Sequence, residues 1–156
     1  VTPLLGWIGA PLAAMTAMYT AYLFAQARAR DLWQSPLLPA HLLIQSLVAG
    51  AAILMLVGRG DVPGSVTVCL QLSLAAHLLL VAGEASMGHP TAHAALAARA
   101  MTKGAWAHFF WVGLALGVLA LFFAASTPAI AAGAALGALL LYEHAFVQAG
   151  QSVPLA

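Results

Sequence analysis

The chain is 156 residues long, 63% hydrophobic and only 6% charged, against roughly a quarter charged residues in an ordinary soluble domain, which excludes a soluble globular fold. Five Lys/Arg and four Asp/Glu leave a formal charge of +1 and no basic block able to neutralise a row of phosphates, so nucleic-acid binding is excluded. A single cysteine, Cys69, set in an apolar run, excludes a disulfide framework, a CxxC redox pair, a Cys-ligated iron–sulfur cluster and a c-type haem attachment.

The few charges punctuate the chain. Residues 1–27, 32–58, 62–83 and 104–142 contain no Asp, Glu, Lys or Arg, and roughly 20 apolar residues cross a bilayer core of about 30 Å. The last window holds two crossings, separated at Ser126-Thr127-Pro128 by a tight turn with Pro at a helix start. Spans are expected near residues 3–26, 37–58, 64–88, 104–125 and 128–149. Stretches such as 114–125 lack the polar–apolar alternation of a β-barrel, leaving an all-α integral membrane protein, a bundle of about five transmembrane helices. The apolar start lacks a basic n-region and is read as a span rather than a secretory signal. Residues 90–102 read as a connector. Thr91 is placed to cap a short interfacial helix with Leu96, Met101 and several alanines on one face and His93 and Arg99 polar.

Orientation follows from the basic residues, which accumulate on the cytoplasmic side. Arg28 and Arg30 lie between spans one and two, and Arg99 and Lys103 between spans three and four; Arg59 stands alone opposite them. The two richer connections are expected in the cytoplasm, with the N-terminus outside and the C-terminus inside. Gly113 with Gly117 and Gly133 with Gly137 put small residues on one helix face and permit close helix contact. Trp7, Trp33, Trp106 and Trp111 fall near span ends, where indole rings anchor at the headgroup level.

Ionisable groups within or bordering spans are functional candidates by default, because each costs a few kcal/mol unless paired or hydrated. Glu84 and Glu143 are the carboxylates in that position, and His41, His77, His108 and His144 stand in or at the ends of spans two to five. His41, His108 and His144 fall near the expected cytoplasmic ends, so a pair among them could ligate a haem iron. His77 sits about eleven residues before Gly88, roughly 16 Å deeper at the helical rise of about 1.5 Å per residue. No helix carries two histidines spaced for stacked haems. The carboxylates and histidines also suit a proton path serving a buried redox ligand, since hydrocarbon offers protons no route. Gln45, Gln71 and Gln148 could line such a path or tie helices together.

Tyr19-Thr20-Ala21, then Leu32-Trp33-Gln34-Ser35-Pro36-Leu37-Leu38-Pro39, then Ser46-Leu47-Val48-Ala49-Gly50-Ala51-Ala52 resemble the pattern of the NrfD/PsrC family, the polysulfide-reductase-type membrane subunits. Phe109-Phe110-Trp111-Val112-Gly113 and the ending from Tyr142-Glu143-His144 to Pro154-Leu155 are similar to that family's C-terminal half. The resemblance covers nearly the whole chain, with Gln34 where the family often has Asn and Ala21 where it has Gly. It implies part of a larger subunit of eight to ten spans that interacts with a quinone, ubiquinone or menaquinone, and carries no haem or iron–sulfur cluster of its own. It implies a 4Fe-4S iron–sulfur partner subunit, a molybdopterin catalytic subunit beyond it, and a place in the bacterial inner membrane.

The expected function is therefore a membrane-anchoring, quinone-interacting subunit of a respiratory oxidoreductase, with no metal site and no catalytic residue acting on the non-quinone substrate. Quinone or proton contact is expected from His41, His77, Glu84, His108, Glu143 and His144, with Tyr19 and Trp33 as quinone neighbours. A haem b anchor and a small transporter or structural helical subunit are the alternatives; an internal repeat of interrupted helices, common in transporters, is not seen.

Overall fold

The computed structural model describes residues 2–58 and 62–153. Among them, helices α1 (Thr2–Ala25), α2 (Leu38–Val57), α3 (Gly64–Ser86), α4 (Ala92–Thr102), α5 (Ala107–Phe123) and α6 (Pro128–Ser152) are joined by short connections, the first containing a 3-10 turn at Asp31–Gln34. Four of these helices are long and apolar enough to cross a membrane, and α4 with α5, bent by 68° between them, makes a fifth candidate when the pair is counted as one span. Pro39 and Pro128 sit in the first turns of α2 and α6, where a missing N–H costs nothing and the fixed φ favours helix. Thr91 caps α4 by accepting from the Ala94 N–H at 3.1 Å.

Helices α2, α3, α5 and α6 form a closed ring, each packing on two others, and α1 lies outside it against α2. Two cores fill the ring. Val48, Ala52, Leu70, Leu74, Ala120, Ala132 and Ala135 form an alanine-rich half without solvent contact. Trp33, Leu38, Val81, Met101, Phe110, Tyr142 and Phe146 form an aromatic half toward the connections that bear Arg30 and Arg99. Gly113 and Gly117 bring α5 close to α6: a Cβ on Gly113 would stand 3.0 Å from the Ala138 carbonyl oxygen. Gly133, expected in the same role, faces open space, because the buried stripe Ala131, Ala132, Ala135 and Ala138 of α6 turns it outward.

The two basic connections share one face. The Arg30 guanidinium donates to the carbonyls of Gly150, Gln151 and Val153 at 3.1, 2.8 and 2.9 Å, satisfying the orphan acceptors at the end of α6 with the charge its dipole favours. Thr91 donates to Asp31 at 2.6 Å, tying the first connection to α4. Arg59, expected on the opposite face, lies outside the described residues.

Two further sequence expectations are corrected. The buried face of α4 is Ala94, Ala97, Ala98 and Met101, a helical stripe that leaves Leu96 exposed on the opposite side. Trp33 is not a headgroup anchor but is buried, its ring edge-on to Phe24 at 5.1 Å and its indole against Gly150, where a Cβ would collide with it. The first connection folds back into the bundle and carries Trp33 inward with it.

Candidate functional site

The inset connection has a second effect. Because Trp33 and Leu38 occupy the end of the ring, α2 starts deep, and α3 overshoots its start by roughly a turn and a half. His41, in the first turn of α2, therefore meets His77 rather than its expected neighbours at the span ends. His41 Nε2 and His77 Nδ1 are 2.8 Å apart, and both side chains are buried.

Glu84 stands two turns beyond His77 on the same face of α3. The His41 ring bridges that interval, with Glu84 Oε2 3.5 Å from Nδ1, longer than a formed hydrogen bond. The Tyr142 ring of α6 lies 5.3 Å from His41 and 5.1 Å from His77, centre to centre. One turn along α2, buried Gln45 donates to Glu143 at 2.6 Å. The cluster occupies the seam between the alanine-rich and aromatic halves, where α2, α3 and α6 meet.

A cavity of about 510 Å³ opens above the seam, in the gap left where α3 projects past α2. The connection at residues 31–37 and helix α4 wall it in, with Leu32, Val81, Met101 and Phe146 as apolar lining and Glu84 and Tyr142 reaching it from the seam. Arg99 and Lys103 stand at its α4 side. The Glu84 side chain is 23% exposed, and of Glu84, His41 and His77 it alone lines the cavity while facing the buried His41 imidazole.

Of the sequence candidates, His41, His77, Glu84 and Glu143 converge here. His108 and His144 are exposed on the outside of the bundle, where they pack on the Phe109 ring at 4.0 and 4.5 Å. Tyr19 is exposed on α1, and neither it nor Trp33 lines the cavity. The missed residue is Tyr142. Its signal lay in spacing, since Ala131, Ala135, Ala138, Ala145 and Ala149 make a buried stripe along α6 into whose phase Tyr142 falls.

The histidine geometry bears on a haem. An iron held between two imidazoles needs the ligating nitrogens about 4 Å apart, twice a metal–nitrogen bond of about 2 Å. His41 and His77 are hydrogen-bonded to each other instead, and the outward-facing His108 and His144 do not approach them. Among the described residues, no group of three or more His, Cys, Asp or Glu is placed to hold a metal ion.

Compared with known proteins, residues 1–151 match the family model described as polysulphide reductase, NrfD. No curated protein and no solved structure gives a significant match.

Proposed function

Because the chain belongs to the polysulphide reductase NrfD family, we propose that it is the quinone-interacting membrane subunit of a respiratory oxidoreductase, exchanging electrons between the quinone pool and an iron–sulfur partner subunit. One observation carries the proposal: an apolar cavity of about 510 Å³ with a carboxylate and a phenol at its inner end. Ligand pockets run from about 300 to 1,000 Å³ and combine apolar walls with a few convergent polar groups, which suits a quinone ring with two oxygens.

A quinone, ubiquinone or menaquinone, supplies the redox change of two electrons with two protons. The chain's own part is to bind and to handle protons. Leu32, Val81, Met101 and Phe146 hold the ring and exclude water. The Tyr142 O–H is a donor to a ring oxygen, and the Glu84 carboxylate takes up or returns a proton there. His41, His77 and Glu143 stand behind these two groups and support proton handling, whereas His108, His144, Tyr19 and Trp33 have no part in it. The partners this role would need are a 4Fe-4S iron–sulfur subunit, which would supply the electron exchange, and a molybdopterin catalytic subunit beyond it. The proposed setting is the bacterial inner membrane, with the face bearing Arg28, Arg99 and Lys103, and with it the C-terminus, in the cytoplasm.

The test fills the cavity. Ala95, on its α4 wall, is replaced by Trp in membranes that hold the intact complex, and binding of the fluorescent quinol analogue heptyl-hydroxyquinoline N-oxide is titrated. Weakened binding together with lowered quinol oxidation is expected; wild-type binding and turnover in Ala95→Trp would overturn the proposal.

A further inference from the structure

Building on the reading of the cavity as a quinone site, we propose that Glu84, His41 and His77 form a proton wire that loads at Glu84 and ends at His77, out of reach of the cavity.

The geometry separates contact from storage. Glu84 lines the cavity, while His41 and His77 do not and are 1% and 3% exposed. From Glu84 a proton reaches His77 by way of His41, whose two ring nitrogens face the two partners: Nδ1 toward Glu84 and Nε2 toward His77. An imidazole with both nitrogens engaged passes a proton without leaving its place, because it accepts at one nitrogen and releases from the other.

The step balances. In the loaded state Glu84 carries its proton, His41 is protonated at Nε2, and His77 is protonated at its own Nε2. The Glu84 O–H bond breaks as an N–H forms at His41 Nδ1. The His41 Nε2–H bond then breaks as an N–H forms at His77 Nδ1. The result is a Glu84 carboxylate, a neutral His41 in its other tautomer, and a His77 imidazolium. No electron moves and no group leaves. Glu84 turns by a side-chain torsion to close its 3.5 Å gap to His41, which makes it the moving part and the two imidazoles the fixed part.

The surroundings suit this division. Tyr142 of α6 packs its ring against both imidazoles. Glu143, the other carboxylate near the pair, is occupied by Gln45 of α2. From α5, Phe110 packs on the Tyr142 ring, centres 6.2 Å apart. The charge partner of a His77 imidazolium is thus Glu84, on the same helix face, with His41 between them.

The test uses the intact complex in its membrane, with His77→Gln and His41→Gln. The quinol analogue should bind both variants as it binds wild type, and KM should hold. Meanwhile kcat should fall roughly a hundredfold, the low end of what a positioned proton-transfer group contributes. Wild-type kcat with intact analogue binding would overturn the wire and leave the quinone reading standing. Failure of the analogue to bind wild type would instead sink the quinone reading and the wire with it. Should the variants not assemble, redox-difference infrared spectra of the wild-type complex decide. A carboxyl C=O band and an imidazolium ring band changing with opposite sign are expected, and an unchanging imidazole band would refute the wire.

Discussion

His41 and His77, thirty-six positions apart, share one proton between Nε2 and Nδ1 across 2.8 Å. With both rings buried, a hydrogen bond between them is the alternative to a stranded polar nitrogen, which costs about 1–3 kcal/mol. The pair therefore pins α2 to α3 at the level where the polar groups of the bundle gather, and Glu84 stands at its outer end.

Glu84→Gln keeps the size of the side chain and removes the ionisable proton. Quinol turnover should drop roughly a hundredfold while the yield of assembled complex stays at the wild-type level. His108→Gln and His144→Gln, changes on the outer surface, should leave turnover within about twofold of wild type. Steady-state quinol oxidation on matched membranes reads all three; a Glu84→Gln enzyme at full speed would remove Glu84 from any proton role.

Gly150 lies under the Trp33 indole, and a methyl group there meets the ring. Gly150→Ala should destabilise the protein by about 1–3 kcal/mol, the usual cost of overpacking. A lowered thermal midpoint in detergent, with a shifted Trp fluorescence maximum, would register it.

Two glycines on facing helices should answer differently. Gly113→Ala forces a Cβ to 3.0 Å from the Ala138 carbonyl oxygen and should part α5 from α6, with a loss of about 1–3 kcal/mol. Gly133→Ala meets nothing within 4 Å and should be neutral or raise stability, since Ala exceeds Gly in helix propensity by about 1 kcal/mol. Equal melting behaviour of the two variants would contradict the packing described.

Arg30→Gln removes the guanidinium that gathers three carbonyls at the end of α6. Charged hydrogen bonds contribute about 1.5–3 kcal/mol, so the last turn of α6 should fray. Hydrogen exchange over residues 147–153 should quicken in the variant while α2 and α3 keep wild-type protection.

The helices were legible because the signal for them is uniform hydropathy between rare charges, and even the turn at Ser126-Thr127-Pro128 falls where α6 begins. The cap at Thr91 was legible for the same local reason. What local pattern did not carry was depth. The sequence places His41 near a membrane surface and His77 well inside, and only the inward fold of the connection around Trp33 brings them level. Gly133 and Leu96 were misread because composition identifies a small or apolar residue but not its angle around the helix. For α4 and α6 that angle follows from the buried stripes Ala94, Ala97, Ala98, Met101 and Ala131, Ala135, Ala138. Tyr142 was overlooked because its place beside two histidines is set by three helices at once.

Below the Gln45–Glu143 pair the buried side chains turn to hydrocarbon. Ser73 spends its hydroxyl on the Cys69 carbonyl of its own helix, and Val48, Ala52, Leu70, Leu74, Ala132 and Ala135 fill the ring without a trace of solvent. A layer so dry is a dielectric stopper. A proton that follows the proposed wire in from the arginine-bearing side therefore stops at His77, with no further polar side chain of this dry layer to carry it on.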